Sequence, residues 1–166
     1  NMAKALRPAA RHARKLGITL GIEPCNRYET HLLNTSTQSM QFLELLNEPN
    51  VTIHLDTYHM NIEESDMAQP IATAGASLRY VHIGESHRGY LGTGTVDFGS
   101  FFRGLRVSGF DGPVVFESFS SAVVSADLTG SLAIWRNLWE DSDDLAAHAN
   151  RFIRDAIHAV ETIDLH

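Results

Sequence analysis

A single cysteine, Cys25, rules out an intrachain disulfide, and a reducing cytoplasm is the expected compartment. Positive charge is also scarce: 13 Lys and Arg stand against 20 Asp and Glu, a formal net charge of −7. Nucleic acid and anionic membrane surfaces are bound by concentrated positive charge. No basic run exists here, so neither is an expected partner. No apolar run approaches the ~18 residues of a membrane span. The opening stretch NMAKALRPAARHARKLG has no signal-peptide apolar core. No glycine-rich phosphate loop follows any strand-like segment, so a dinucleotide or P-loop fold has no support.

What is present is a chain of 166 residues, 43% hydrophobic, enough for one domain core. No low-complexity linker divides it, and 1–166 reads as a single domain. Helix-like and strand-like segments alternate. Ala3 to Leu16 reads as a helix that Pro8 would shorten or bend. Ile18 to Glu23 reads as a strand stopped by Pro24. Asn34 or Thr35 can cap a helix running to about Asn47. Val51 to Asp56 is the next strand. A short helix is expected over Asp66 to Ala74, with Pro70 an awkward interior residue. Leu78 to Ile83 is a third strand. Asp97 can cap a helix over about Phe98 to Val107, whose Phe98, Phe101, Phe102 and Leu105 follow core spacing. Pro113 to Phe119 is a fourth strand. Leu128 to Trp139 and Ser142 to Ile163 read as closing helices. Trp135 and Trp139 would share a face of the first, as packing or interface residues. Such alternation is the mark of an α/β fold with a parallel sheet covered by helices.

The four strand-like segments end alike. They finish at or next to Glu23, Asp56, His82 and Glu117. In a parallel α/β sheet all C-terminal strand ends lie on one side, and that side carries the site. One acidic residue after a strand is usually a cap or turn residue, and one strand histidine is usually a core residue. Four candidate ligands on four successive strands are not expected by chance. Three converging carboxylates would repel and raise one another's pKa values unless a cation joined them. An oxygen-rich set with one nitrogen suits Mn²⁺, Co²⁺ or Mg²⁺. A structural zinc site would need more thiolates or imidazoles than this set offers. Nine histidines overall agree with a metal-binding chain. Glu29, His59 and Arg88 follow these strand ends in loops where substrate contacts belong, and Glu85 and His87 share the loop of Arg88. Taken one at a time, each of these five is more simply a solvated loop residue.

The stretches IEPCNRYE, HLDTYHMNIEE, HIGESHRGYLGTGTVDF, VFESF and LAIWRNLW, in this order, resemble the ketose 3-epimerases. These are the D-tagatose, D-psicose and L-ribulose 3-epimerases of the xylose-isomerase-like sugar isomerase/epimerase superfamily. The resemblance implies a TIM (β/α)₈ barrel of which this chain is the C-terminal half, four parallel strands with their covering helices. It implies one divalent metal, commonly Mn²⁺, on Glu23, Asp56, His82 and Glu117. It assigns catalysis to Glu23 and Glu117 and substrate contacts to Glu29, His59 and Arg88. The implied reaction is on a free ketose: one glutamate removes the C3 proton, a cis-enediolate forms, and the other glutamate returns a proton from the opposite face. Family chains are longer, so the N-terminal half is expected to be absent and this chain alone to be weak or inactive. Open sheet edges then call for a homo-oligomer or the missing half. The LAIWRNLW region would contribute to dimer contacts. The competing enzyme reading is a sugar or hydroxypyruvate isomerase, which moves a proton between C1 and C2. The competing non-enzyme reading is a half-barrel assembly module.

Overall fold

Four short apolar runs build the sheet. β1 (Leu20–Ile22), β2 (Val51–Asp56), β3 (Leu78–Ile83) and β4 (Val114–Phe116) lie in the order β1-β2-β3-β4, and each neighbouring pair is parallel. The computed structural model describes residues 1–163. The single-domain expectation covers 1–166, so its last three positions, 164–166, lie outside the described residues. The α/β class and parallel sheet expected from the sequence are those observed.

The two-residue period of a strand sorts side chains between faces. Ile53 and Leu55 of β2 and Val81 and Ile83 of β3 are fully buried under the helices. The other face carries Thr52, His54 and Tyr80, which line a concave polar surface with Gly21 and Pro113. A methyl group at Gly21 would stand 3.2 Å from the His54 Cβ, tighter than an ordinary contact, so glycine eases the close approach of that histidine to β1.

Helices α1 (Met2–Lys15), α2 (Ser36–Leu46), α4 (Gln69–Ala74), α5 (Phe98–Ser108) and α7 (Ser142–Thr162) pack in succession as the outer layer. Phe98, Phe101, Phe102 and Leu105 of α5 enter the main core, as their spacing predicts. Thr35 caps α2: its side chain accepts from the Gln38 N–H and the Gln38 side chain returns the bond. Pro8 lies inside α1, which nevertheless continues to Lys15. Pro70 sits in the first turn of α4, where its missing N–H costs nothing. The expected helix start at Asp66 moves to Gln69, because the Asp66 carboxylate accepts from the Ala68 and Gln69 N–H groups. No helix among the described residues is long and apolar enough to cross a membrane.

Two elements depart from the sequence reading. A helix absent from it, α3 (Thr57–Glu63), begins directly at the end of β2. The helix expected over Leu128–Trp139 is only α6 (Ala126–Ser131), after which Ala133 adopts φ 54° and the chain leaves helical geometry. Side chains on the β4 extension hold the irregular stretch. The Trp139 Nε1–H donates to Ser118 Oγ at 2.8 Å, and Ser120 Oγ bonds Asn137 Oδ1 and the Trp139 carbonyl. Trp139 is buried while Trp135 is 71% exposed, so the two tryptophans share no face.

Candidate active site

Register brings the expected ligands level. β2 and β3 pair Ile53 with Leu78 but His54 with Tyr80, a bulge that passes over Arg79. Without that step Asp56 would stand beside Val81; with it Asp56 stands beside His82. Glu23 and Glu117 each follow the last residue of their strands, β1 and β4. All four expected ligands therefore gather at the C-terminal edge of the sheet.

His82 is the hub. Its Nδ1 lies 3.8 Å from Glu23 Oε1, 3.9 Å from Asp56 Oδ2 and 3.6 Å from Glu117 Oε1. These separations exceed hydrogen-bonding distance, and Nδ1 is buried with no partner. Ligand atoms of Asp56, His82 and Glu117 all lie within 4.8 Å of one another. Glu23 groups in the same way with Asp56 and His59, and with His54 and His82. The Arg88 Nη1 donates to Asp56 Oδ2 at 2.9 Å and forms an ion pair with Glu117 Oε2, also at 2.9 Å. Three carboxylates against one guanidinium leave two negative charges in excess. An orphaned ring nitrogen facing three carboxylates with that excess fits a divalent cation, and the oxygen-rich donor set fits a hard one.

The charge states follow from burial and neighbours. Burial pushes the Asp56 carboxyl up, but Arg88, His59 and the Tyr58 amide outweigh it and hold Asp56 below its ordinary value. Burial likewise opposes the Glu23 anion, and His82, His54 and His59 beside it bring the net shift downward. Glu117 goes the other way, raised above its usual range chiefly by burial. Burial disfavours the His82 cation, yet the surrounding carboxylates raise His82 overall. His59 is lowered, mainly by burial. The two expected catalytic glutamates are thus shifted in opposite directions.

Asp56 is both cap and candidate ligand. Its Oδ1 accepts from the Tyr58 N–H at 2.7 Å and starts α3, leaving Oδ2 for the cluster. Thr57 ties the ends of β2 and β3 together: its hydroxyl donates to the Gly84 carbonyl and accepts from the Gly84 N–H. Gly84 also makes room for Arg88, since a Cβ there would stand 2.6 Å from Nη1. Arg88 itself has φ 61° and lies over the Tyr58 ring at 3.8 Å.

The structure brings all three expected substrate contacts, Glu29, His59 and Arg88, to one cavity with Glu23 and Glu117. Tyr58, Phe119, Leu132 and Ile134 complete most of its apolar lining. His59 and Arg88 are buried, at 4% and 8% exposure, so neither is a solvated loop residue. Glu85 also departs from that reading. It is 1% exposed and accepts from the Ser86, Gly92 and Val96 N–H groups, which folds its own loop.

Residues 1–156 match the xylose isomerase-like TIM barrel family. The chain belongs to that family. Within it, the chain is 61% identical over 166 residues to the ketose 3-epimerase of Arthrobacter globiformis, covering 100% of this chain and 57% of that one. It is 53% identical over 154 residues to the L-ribulose 3-epimerase of Methylomonas sp. (strain DH-1), covering 93% and 54%. A solved L-ribulose 3-epimerase superimposes with a TM-score of 0.95 at 46% identity, across 98% of this chain and 55% of that one. A D-allulose 3-epimerase from Methylomonas sp. in complex with D-allulose gives a TM-score of 0.91 at 52% identity, across 93% and 54%. The chain therefore spans about half the length of these TIM barrel relatives. The resemblance read from the motifs is the kinship these relatives carry.

Proposed function

We propose that the protein carrying this chain is a divalent-metal-dependent ketose 3-epimerase acting on free ketoses of the tagatose, psicose/fructose or ribulose type. The single observation that carries the reading is the convergence of Glu23 and Glu117 on His82 from β1 and β4, the outermost strands of the sheet. Relatives named for inversion at C3 of ketoses support the reaction class. Glu23, Asp56, His82 and Glu117 would hold the ion, with Mn²⁺ favoured and Co²⁺ or Mg²⁺ compatible. When bound, a divalent ion supplies Lewis acidity toward the oxygens on C2 and C3 and offsets the carboxylate charge.

The remaining work falls to side chains. A planar C2–C3 unit seated between Glu23 and Glu117 has a carboxylate on either side. One removes the C3 proton, the enediolate is left between them, and the other delivers a proton to the opposite face. Inversion requires two bases for this reason. His59 and Arg88 donate to sugar oxygens where negative charge develops. Glu29 accepts from a hydroxyl. Arg88, the lining's only guanidinium or ammonium group, is already engaged by Asp56 and Glu117, which favours free sugars over sugar phosphates.

The 166-residue chain alone is expected to be weak or inactive, since among the described residues four strands wall its concave face. The test uses the natural full-length protein. Glu23→Gln and Glu117→Gln should each abolish epimerisation of fructose, tagatose and ribulose. One of them is expected to retain exchange of the C3 proton with D₂O for a single epimer. Full turnover by both variants would remove the two-base assignment.

A further inference from the structure

Asn26 is 1% exposed and was not among the site residues expected from the sequence. We infer that Asn26 is a positioning residue that locks Glu29 and His59 into one unit, fixing their spacing and presenting the His59 Nε2–H to the substrate. The inference rests on the epimerase reading for what that unit binds, but not for its geometry.

The amide orientation is set locally. Asn26 Oδ1 accepts from the Tyr28 N–H at 2.9 Å, so Nδ2 must face the other way. Nδ2 lies 2.9 Å from Glu29 Oε1 and 2.9 Å from His59 Nδ1. An amide nitrogen has two protons, one for each of these acceptors. The Asn26 backbone N–H points at the same ring nitrogen, 3.1 Å away. A nitrogen that accepts from two donors carries no proton, so the neutral His59 ring holds its proton on Nε2. Nε2 lies 3.8 Å from Glu23 Oε1, on the side of the cavity that both residues line. His59 thus offers a donor and Glu29 an acceptor, and one buried amide holds both. Two sugar oxygens of opposite hydrogen-bonding sense are the ligand this pair fits.

Two variants separate positioning from packing. Asn26→Asp keeps the shape but replaces the donor by a carboxylate, which repels Glu29 and, as a charged acceptor that outweighs the single backbone donor, draws a proton to His59 Nδ1. Asn26→Ala removes the side-chain link and leaves the backbone donor. In the full-length protein, histidine ¹⁵N long-range NMR should report an Nε2–H tautomer for His59 in the wild type and in Asn26→Ala. In Asn26→Asp it should report an Nδ1-protonated ring. Turnover should fall about 10- to 100-fold in Asn26→Asp, as for other partners that orient site groups. In Asn26→Ala the loss should fall mainly on KM, because Glu29 is freed while the His59 tautomer persists. Affinity for Mn²⁺ should stay near that of wild type in both, because the bonds of Asn26 go to Tyr28, Glu29 and His59 and not to the four expected ligands. Unchanged His59 signals together with unchanged kcat and KM would overturn the inference. So would a joint collapse of Mn²⁺ affinity and melting temperature in both variants, which marks Asn26 as structural. If the wild type inverts no ketose while the His59 signals respond as stated, the epimerase reading fails and the positioning role stands.

Discussion

Asp56 divides its two oxygens between a helix cap and the side-chain cluster at the end of the sheet. Oδ1 caps α3 and Oδ2 meets Arg88 near His82. The sequence could not separate a cap from a candidate ligand at this position, because one carboxylate caps α3 with one oxygen and turns the other toward Arg88 and His82. Glu23, His82 and Glu117 were legible as strand-end residues, since period-two alternation marks where each apolar run stops. Asn26 was not legible, because its partners His59 and Glu29 come together only when the loop after β1 meets α3. Its one local sign is the spacing of Asn26 and Glu29 within NRYE. Gly84 was equally silent, since its role is the space it leaves for Arg88. Gly84→Ala should push the guanidinium off Asp56. Unpairing a buried hydrogen-bonded group costs about 1–3 kcal/mol, and the urea midpoint should drop accordingly. A midpoint equal to wild type would show that Arg88 finds another way to both carboxylates.

At the scale of elements, caps and core spacing were readable and irregular segments were not. α5 follows its apolar period from an Asp97 cap. The Asp97 carboxylate accepts from the Ser100 N–H at 2.9 Å and from the Ser100 hydroxyl at 2.6 Å. Those bonds to Ser100 hold its pKa below the usual 3.8. A depressed carboxylate contributes stability that is complete above the unfolded value and lost as pH falls through the folded one. Asp97→Ala should cost about 1 kcal/mol near neutrality. Asp97→Asn should keep most of the cap and lose the pH dependence. Comparing the two with wild type by urea unfolding between pH 2 and 6 checks both statements. α3 escaped notice because the strand pattern runs into it without a turn. The 128–139 segment reads as a helix on apolar spacing alone, yet tertiary bonds from Ser118 and Ser120 override that spacing. Iodide quenching should find Trp135 accessible and Trp139 protected, whereas a helix would give the two similar access. Trp139→Phe should remove one buried hydrogen bond and loosen the Leu132–Ile134 wall of the cavity, at a cost of about 1 kcal/mol.

At the scale of the molecule, α/β alternation made the parallel sheet legible, and the motif order made the family legible. What no local pattern encodes is how the sheet is completed. Among the described residues β1 and β4 each pair on one side only, leaving two open edges. Open edges seek partners. We therefore expect the 166-residue chain to sediment at micromolar concentration as a species larger than its 18.4 kDa monomer, and a clean monomer would count against this. Metal should add stability to the native state by mass action. Mn²⁺ at a hundred times its Kd is worth about 2.7 kcal/mol, so a chelator should lower the melting temperature of the full-length protein measurably. His82→Ala should abolish that difference, because it removes the nitrogen facing all three carboxylates.

The central claim is proton transfer at C3 between two glutamates. The most direct measurement is the position of deuterium when the full-length, Mn²⁺-loaded protein turns over a ketose in D₂O, read by NMR. Deuterium at C3 of the inverted epimer, with none at C1, is the expected result. Deuterium at C1, or complete turnover without exchange at C3, would contradict it.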